Sequence, residues 1–124
     1  MSEGEGQAQM QRFSHAAVGV CRGSAQLFQA YVDDGPMWVA EGPREERKRV
    51  DFPESFLSAP IVQVSISMWD IDNNANLRAD ITAECVTRTG FEIVFRTWAD
   101  TRVARIRADW LAIGETTHSD DFHV

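Results

Sequence analysis

At the end of one segment of alternating polarity, Trp98 stands beside arginines and carboxylates, a combination suited to recognising a sugar. It has the parity of outward Glu92 and Arg96 and immediately precedes the loop Ala99-Asp100-Thr101-Arg102. An exposed indole there would offer an apolar face to the C–H side of a pyranose, while guanidinium forks and carboxylates would supply donors and acceptors for its hydroxyls. A space-filling tryptophan is the competing reading on chemistry alone. Trp110 is read as core, while for Trp69 a space-filling role stays open.

Other residue groups are weaker as chemistry. The stretch from Asp70 through Asp72, Asn74 and Asn76 begins like a calcium loop, with oxygen ligands at alternate positions. It then departs, with Ala75 at the turn glycine, Arg78 at the ninth position and Ile81 at the twelfth. Asx side chains capping a β-connection fit it better. His118 to His123 carries imidazoles and carboxylates that could ligate a transition metal, but in an expected tail nothing fixes ligand geometry. No metal and no other cofactor is therefore expected. His15 is the one histidine outside that tail, and no Gly-x-Ser-x-Gly elbow occurs. Paired carboxylates for glycoside hydrolysis stay open, yet so small a chain leaves little room for a deep, water-excluding pocket. The chain is read as non-enzymatic.

The elements that must position these residues are strands. In Ile61–Asp70, Val62, Val64, Ile66 and Met68 fall on one face, and Gln63, Ser65, Ser67 and Trp69 on the other. That is a period of two over a full strand length. Ala79–Val86 repeats it, with Ala79, Ile81, Ala83 and Cys85 inward against Asp80, Thr82 and Glu84. After Gly90, inward Phe91, Ile93 and Phe95 alternate with Glu92, Val94 and Arg96. Val103–Ile113 buries Ala104, Ile106, Ala108 and Trp110 and shows Arg105, Arg107 and Asp109. Weaker segments are His15–Val20 and Gln26–Tyr31, joined by a hairpin turn at Arg22-Gly23-Ser24, and Arg47–Phe52. Helical periodicity is absent, and turn signals recur at the spacing of an antiparallel sandwich. The fold class is all-β. Outward Arg105 and Arg107 are expected to pair with Asp80 and Glu84.

At 124 residues, with 44% hydrophobic and 25% charged, the chain has material for one core. Residues 12–114 are expected to form it, with flexible tails at 1–11 and 115–124. A net charge of -7 repels phosphate backbones and anionic membranes, so nucleic acid is not an expected partner. No apolar run is long enough to insert in a bilayer. Met1–Gln11 lacks the basic and apolar regions of a signal peptide, which leaves a cytoplasmic location and unconventional export both open. Cys21 and Cys85 read as buried thiols, not a disulfide framework. Eleven of the 12 basic residues are arginine, a bias that permits ordered networks or reflects composition alone.

Five features in order and interval carry a resemblance. They are Phe56 to Pro60 before a Val-rich strand, Asp70 ahead of Asn76-Leu77-Arg78, Thr89-Gly90-Phe91, Thr97-Trp98-x-Asp100-Thr101, and Trp110-Leu111-Ala112-Ile113. Together they resemble the H-type lectin domain, the module of snail agglutinins and of the discoidin C-terminus, over residues 52–114. The resemblance implies a six-stranded antiparallel β-sandwich, here with an N-terminal extension. It implies a homotrimer, with pairing into hexamers open, that binds N-acetylgalactosamine or galactose on glycans without a metal, in clefts between protomers. Cell adhesion is the role it suggests. By position, Arg78 matches the arginine that bonds sugar hydroxyls and Trp98 the tryptophan that lines the cleft. Glu41, by its distance ahead of Phe52, matches an acidic residue that accepts hydroxyl protons. Asn76, Asp100, Arg102 and Arg105 are accessory candidates.

Two positions depart from the family. Ala99 stands where the snail lectins have a histidine that reaches the sugar from the neighbouring protomer, and Ala104 where they have a tyrosine; both losses strip contacts. A hydroxyl left without its partner loses orders of magnitude in affinity, for which Arg102 or Arg105 could compensate. The alternative is an oligomeric structural or protein-interaction sandwich that has lost the sugar. Residues up to about Ala40 lie outside the match. There Asp33 to Trp38 reads as a turn, and Trp38 as core or cleft.

Overall fold

The computed structural model describes residues 8–14, 17–29 and 35–117. Strands β1 (Ala17–Gln29), β6 (Val103–Thr116) and β3 (Ile61–Ile71) form one antiparallel sheet in the order β1-β6-β3. Strands β2 (Arg44–Asp51), β5 (Gly90–Thr97) and β4 (Asp80–Glu84) form the other, in the order β2-β5-β4. A single-turn helix, α1 (Pro36–Val39), precedes β2. This is the expected all-β, six-stranded sandwich.

The alternating residues bury as their period requires. Phe91, Ile93 and Phe95 of β5 meet Ile106, Ala108, Trp110 and Ala112 of β6, with Val62, Val64 and Ile66 of β3 and Ile81 and Ala83 of β4 around them. Each large side chain taken from water stabilises by ~1.5–3 kcal/mol. Phe52 and Phe56, just after β2, close one end; their rings meet edge to face at 5.1 Å. Trp38 packs against the core, which decides between its two readings.

Several expectations are corrected. Gly23 makes no hairpin turn: β1 runs straight through Arg22-Gly23-Ser24, and Gly23 pairs with Trp110 on β6. A Cβ at Gly23 would lie 2.6 Å from the Trp110 ring, so the glycine is there for close approach. In β3 the register shifts between Ile66 and Met68, and the irregularity exchanges the faces beyond it. Met68 thus sits opposite Arg107, and Trp69 opposite buried Ile106. Trp69 is not core, however. It remains 58% exposed and lines an open hollow of about 300 Å³ with Ile66, Ile71, Leu77 and Ala79.

β4 is shorter than expected, because Cys85 adopts φ 54° and ends the ladder. Ala79 and Cys85 are exposed, and Cys21 is half-buried. Neither cysteine is therefore a fully buried thiol. Burial raises the Cys21 thiol pKa, whereas a hydrogen bond to the Glu92 carboxylate raises that of Cys85. β2 begins three residues earlier than expected, at Arg44, and β6 runs two residues beyond Gly114. The fold-level reason Arg105 and Arg107 do not meet Asp80 and Glu84 is that β6 and β4 belong to different sheets. Arg105 Nε donates to Asp70 Oδ2 at 3.2 Å, and Arg107 Nε to Ser67 Oγ at 3.1 Å.

Asp80 and Glu84 join a different network. Arg96 pairs with Glu84 at 2.8 Å, Glu45 at 2.9 Å and Asp80 at 3.8 Å, while Arg47 pairs with Glu45 at 2.7 Å and with Glu84 and Glu92 at 3.4 Å. Val94 has the outward parity expected but is fully buried, on the central strand, where its register partners are Arg47 and Thr82. Long arginine stems can cover such a residue while their heads stay in water.

Candidate functional site

Three loops meet where β5 ends. One follows β5 (98–102), one joins β3 to β4 (72–79), and one leads from α1 into β2 (40–43). Short polar side chains strap them. Thr97 Oγ1 donates to the carbonyl of Arg78 at 2.5 Å, and Thr101 Oγ1 to the carbonyl of Asn76 at 2.5 Å. Both threonines are buried. The Asp72 amide donates to the carbonyl of Arg102 at 2.9 Å, and Asp72 Oδ1 accepts from the Asn74 amide at 2.9 Å, an Asx turn. The stretch from Asp70 to Asn76 is thus capped by an Asx turn, as expected of a β-connection.

On this frame Arg78 is oriented by two acceptors. Its Nη1 donates to Asp100 Oδ1 at 2.5 Å and to Thr101 Oγ1 at 3.4 Å. Among the described residues both bonds leave from Nη1, one of the nitrogens that carry the five donors of a guanidinium. Its side chain is 27% exposed. Trp98 is 44% exposed and borders a shallow depression of about 300 Å³ with Pro43, Arg44, Glu45, Arg96 and Thr97. Arg78 is not among its walls. Ala99, at φ 58°, separates the indole from Asp100.

The third loop is fastened to the first at Ala99. The carbonyl of Ala99 accepts from the Gly42 amide at 2.9 Å and from Arg44 Nη2 at 3.1 Å. Gly42 has φ 81°, a left-handed conformation that glycine adopts without strain. Arg44 is buried; desolvation lowers its pKa, the Glu41 carboxylate opposes that, and Arg102 adds to it.

Of the expected site residues, Arg78 and Asp100 are in direct contact, and Asn76 and Arg102 are tied in through their carbonyls. Glu41 is exposed on the third loop, close enough to influence Arg44 but with no bond to Arg78. Arg105, on β6, pairs with Asp70 on β3. Ala99 is exposed and Ala104 buried. His15, His118 to His123, and Asp33 and Asp34 lie outside the described residues. Among the described residues no group of three or more acidic, histidine or cysteine side chains is placed to hold a metal. Sequence reasoning missed Arg44, which carries no motif; the arginine-rich composition is the only hint of such a network. It also missed that Thr97 and Thr101 act through their hydroxyls, although both stand in the quoted Thr-Trp-x-Asp-Thr.

Comparison with known proteins agrees with the fold. The family model of the H-type lectin domain matches residues 47–113. A Fuscovulum blasticum protein described as "ATP synthase subunits region ORF 7" is 53% identical over 109 residues, 88% of this chain and 95% of that one. Discoidin-2 of Dictyostelium discoideum is 30% identical over 91 residues, 73% of this chain. The chain spans only 35% of the length of Discoidin-2. The solved structure of recombinant discoidin II from Dictyostelium discoideum superposes with a TM-score of 0.72 at 24% identity, over 88% of this chain and 41% of that one. Sandwich, motif order and matched span coincide, and the chain belongs to the H-type lectin family.

Proposed function

We propose that this domain binds galactose or N-acetylgalactosamine on glycans, without a metal, at the loop end of the sandwich. Arg78 donates to sugar hydroxyls, Glu41 accepts from them, and Trp98 provides the apolar platform. Asn76, Asp100, Arg102 and Arg105 are accessory. The observation that carries this reading is the Arg78 guanidinium, held by Asp100 and Thr101 beside a loop that exposes Trp98.

The cleft is completed by a neighbouring copy in a homotrimer. Supporting self-association, the outer face of the β1-β6-β3 sheet exposes Val18, Val20, Ile61 and Leu111, and Val20 is 65% exposed. Adjacent large apolar side chains mark association surfaces. Three weak sites on one particle would gain avidity through effective concentration. Light scattering should give three times the chain mass, or six if trimers pair; a monomer removes the inter-protomer cleft. In the decisive test, Arg78→Ala keeps the fold and loses capture on beads bearing N-acetylgalactosamine. Retained capture refutes the site.

A second reading rests on Ala99 and Ala104, which offer only methyl groups where the family places a histidine and a tyrosine. It is an oligomeric protein-interaction sandwich without sugar affinity. A glycan array on the folded oligomer separates the two, since silence across galactose and hexosamine ligands favours the second.

A further inference from the structure

Arg44 is a buried cation whose hydrogen bonds all go to backbone carbonyls. Nε donates to Gly42 at 2.8 Å, Nη1 to Met37 at 3.3 Å and to Pro36 at 3.5 Å, and Nη2 to Ala99 at 3.1 Å. The acceptors belong to three separate pieces of chain: α1, the turn before β2, and the loop after β5. A planar fork spreads five donors at fixed angles and reaches carbonyls on three sides; a lysine ammonium gathers its three donors at one point on a flexible stem and does not fix the same spread. Taking a guanidinium out of water is costly unless its donors find partners, and four bonds to converging carbonyls offset that cost here.

What the fork holds is the frame of the binding loops. Ala99 lies between Trp98 and Asp100, and Asp100 in turn orients Arg78. Its left-handed backbone is one that a residue with a Cβ adopts only at a cost, and the two bonds to its carbonyl, from Arg44 and from Gly42, keep it there. Glu41 is next to Gly42 in the segment that Arg44 also grips. We infer that Arg44 is the positioning residue of the site, setting the placement of Glu41 relative to Trp98 and Asp100 through the loop carbonyls it holds. The inference rests on the sugar-binding reading above and extends it to a residue that reading does not use.

The test compares the wild-type chain, Arg44→Lys, and a control, Arg49→Lys, which makes the same change on the same strand at an exposed ion pair with Asp51. Two measurements are taken on each. Amide hydrogen exchange reads the clamp without any sugar, and capture on N-acetylgalactosamine beads reads the site. In Arg44→Lys the Gly42 amide, bonded to Ala99, should exchange at least tenfold faster while the amides of Ile93 to Phe95 keep their protection. Capture should fall at least tenfold in the same variant, and Arg49→Lys should match the wild type in both. Unchanged Gly42 exchange overturns the clamp. Faster exchange with undiminished capture overturns the positioning role. If the wild type itself binds no galactose-type bead, the sugar reading falls, while the exchange data still decide whether Arg44 holds the loops.

Discussion

The two ends of the sandwich are held by opposite chemistry. Where β5 begins, Phe52, Phe91 and Trp110 form a cluster of rings, with Phe52 5.8 Å from Phe91 and Phe91 5.4 Å from Trp110. Where β5 ends, Arg44, Thr97 and Thr101 are the buried polar side chains among the described residues, and all three bond to loop carbonyls. Apolar contacts are non-directional and stabilise in proportion to the area removed from water. Hydrogen bonds contribute little net stability but fix where a backbone atom sits. One end supplies the stability, then, and the other supplies geometry.

Four changes would break or sharpen that division. Phe91→Ala, deep in the ring cluster, should cost about 3–5 kcal/mol in urea unfolding yet leave sugar capture per folded molecule intact. Lost capture in folded protein would show that the ends are coupled. Thr101→Val keeps the shape but orphans the Asn76 carbonyl and removes an acceptor from Arg78. It should cost about 1–3 kcal/mol and, unlike Phe91→Ala, also weaken capture. Ala99→Gly relieves the left-handed backbone and should raise stability by less than about 1 kcal/mol, with capture reduced if Arg44 and Gly42 no longer confine the loop.

The smallest effect concerns acid. The Glu45 carboxyl is held below the usual glutamate range chiefly by its hydrogen bond to Arg47, and that of Glu84 by Thr82 and then Arg96. A depressed carboxyl contributes stability above its unfolded value that is lost as pH falls through its folded one. Because the network is solvent-exposed, melts at neutral pH and near pH ~3 should differ slightly through these groups, with no change at the ring cluster.

How much could be read in advance varied from segment to segment. The strands Phe91–Thr97 and Val103–Ile113 were legible because one face of each meets the core without interruption. β3 was legible only to Ile66, since a register shift leaves no trace in composition and exchanged Met68 with Trp69. At the candidate site, Arg78, Asp100 and Trp98 could be named, but Arg44 could not. Its role depends on carbonyls, which every residue carries.

Alternation of apolar and polar residues, together with the ordered Asn-Leu-Arg, Thr-Gly-Phe and Thr-Trp-x-Asp-Thr motifs, determined by itself the sandwich and the family. A period of two with one apolar face is a local property that survives any arrangement of the other strands. Only the tertiary structure decided that Gly23 lies under an indole instead of turning, that Asp80 and Glu84 answer to Arg96, and that a guanidinium at position 44 reaches a carbonyl at position 99. Those outcomes depend on which strands become neighbours, and neighbours 55 positions apart are brought together by burial of the whole core, not by any pattern within either segment.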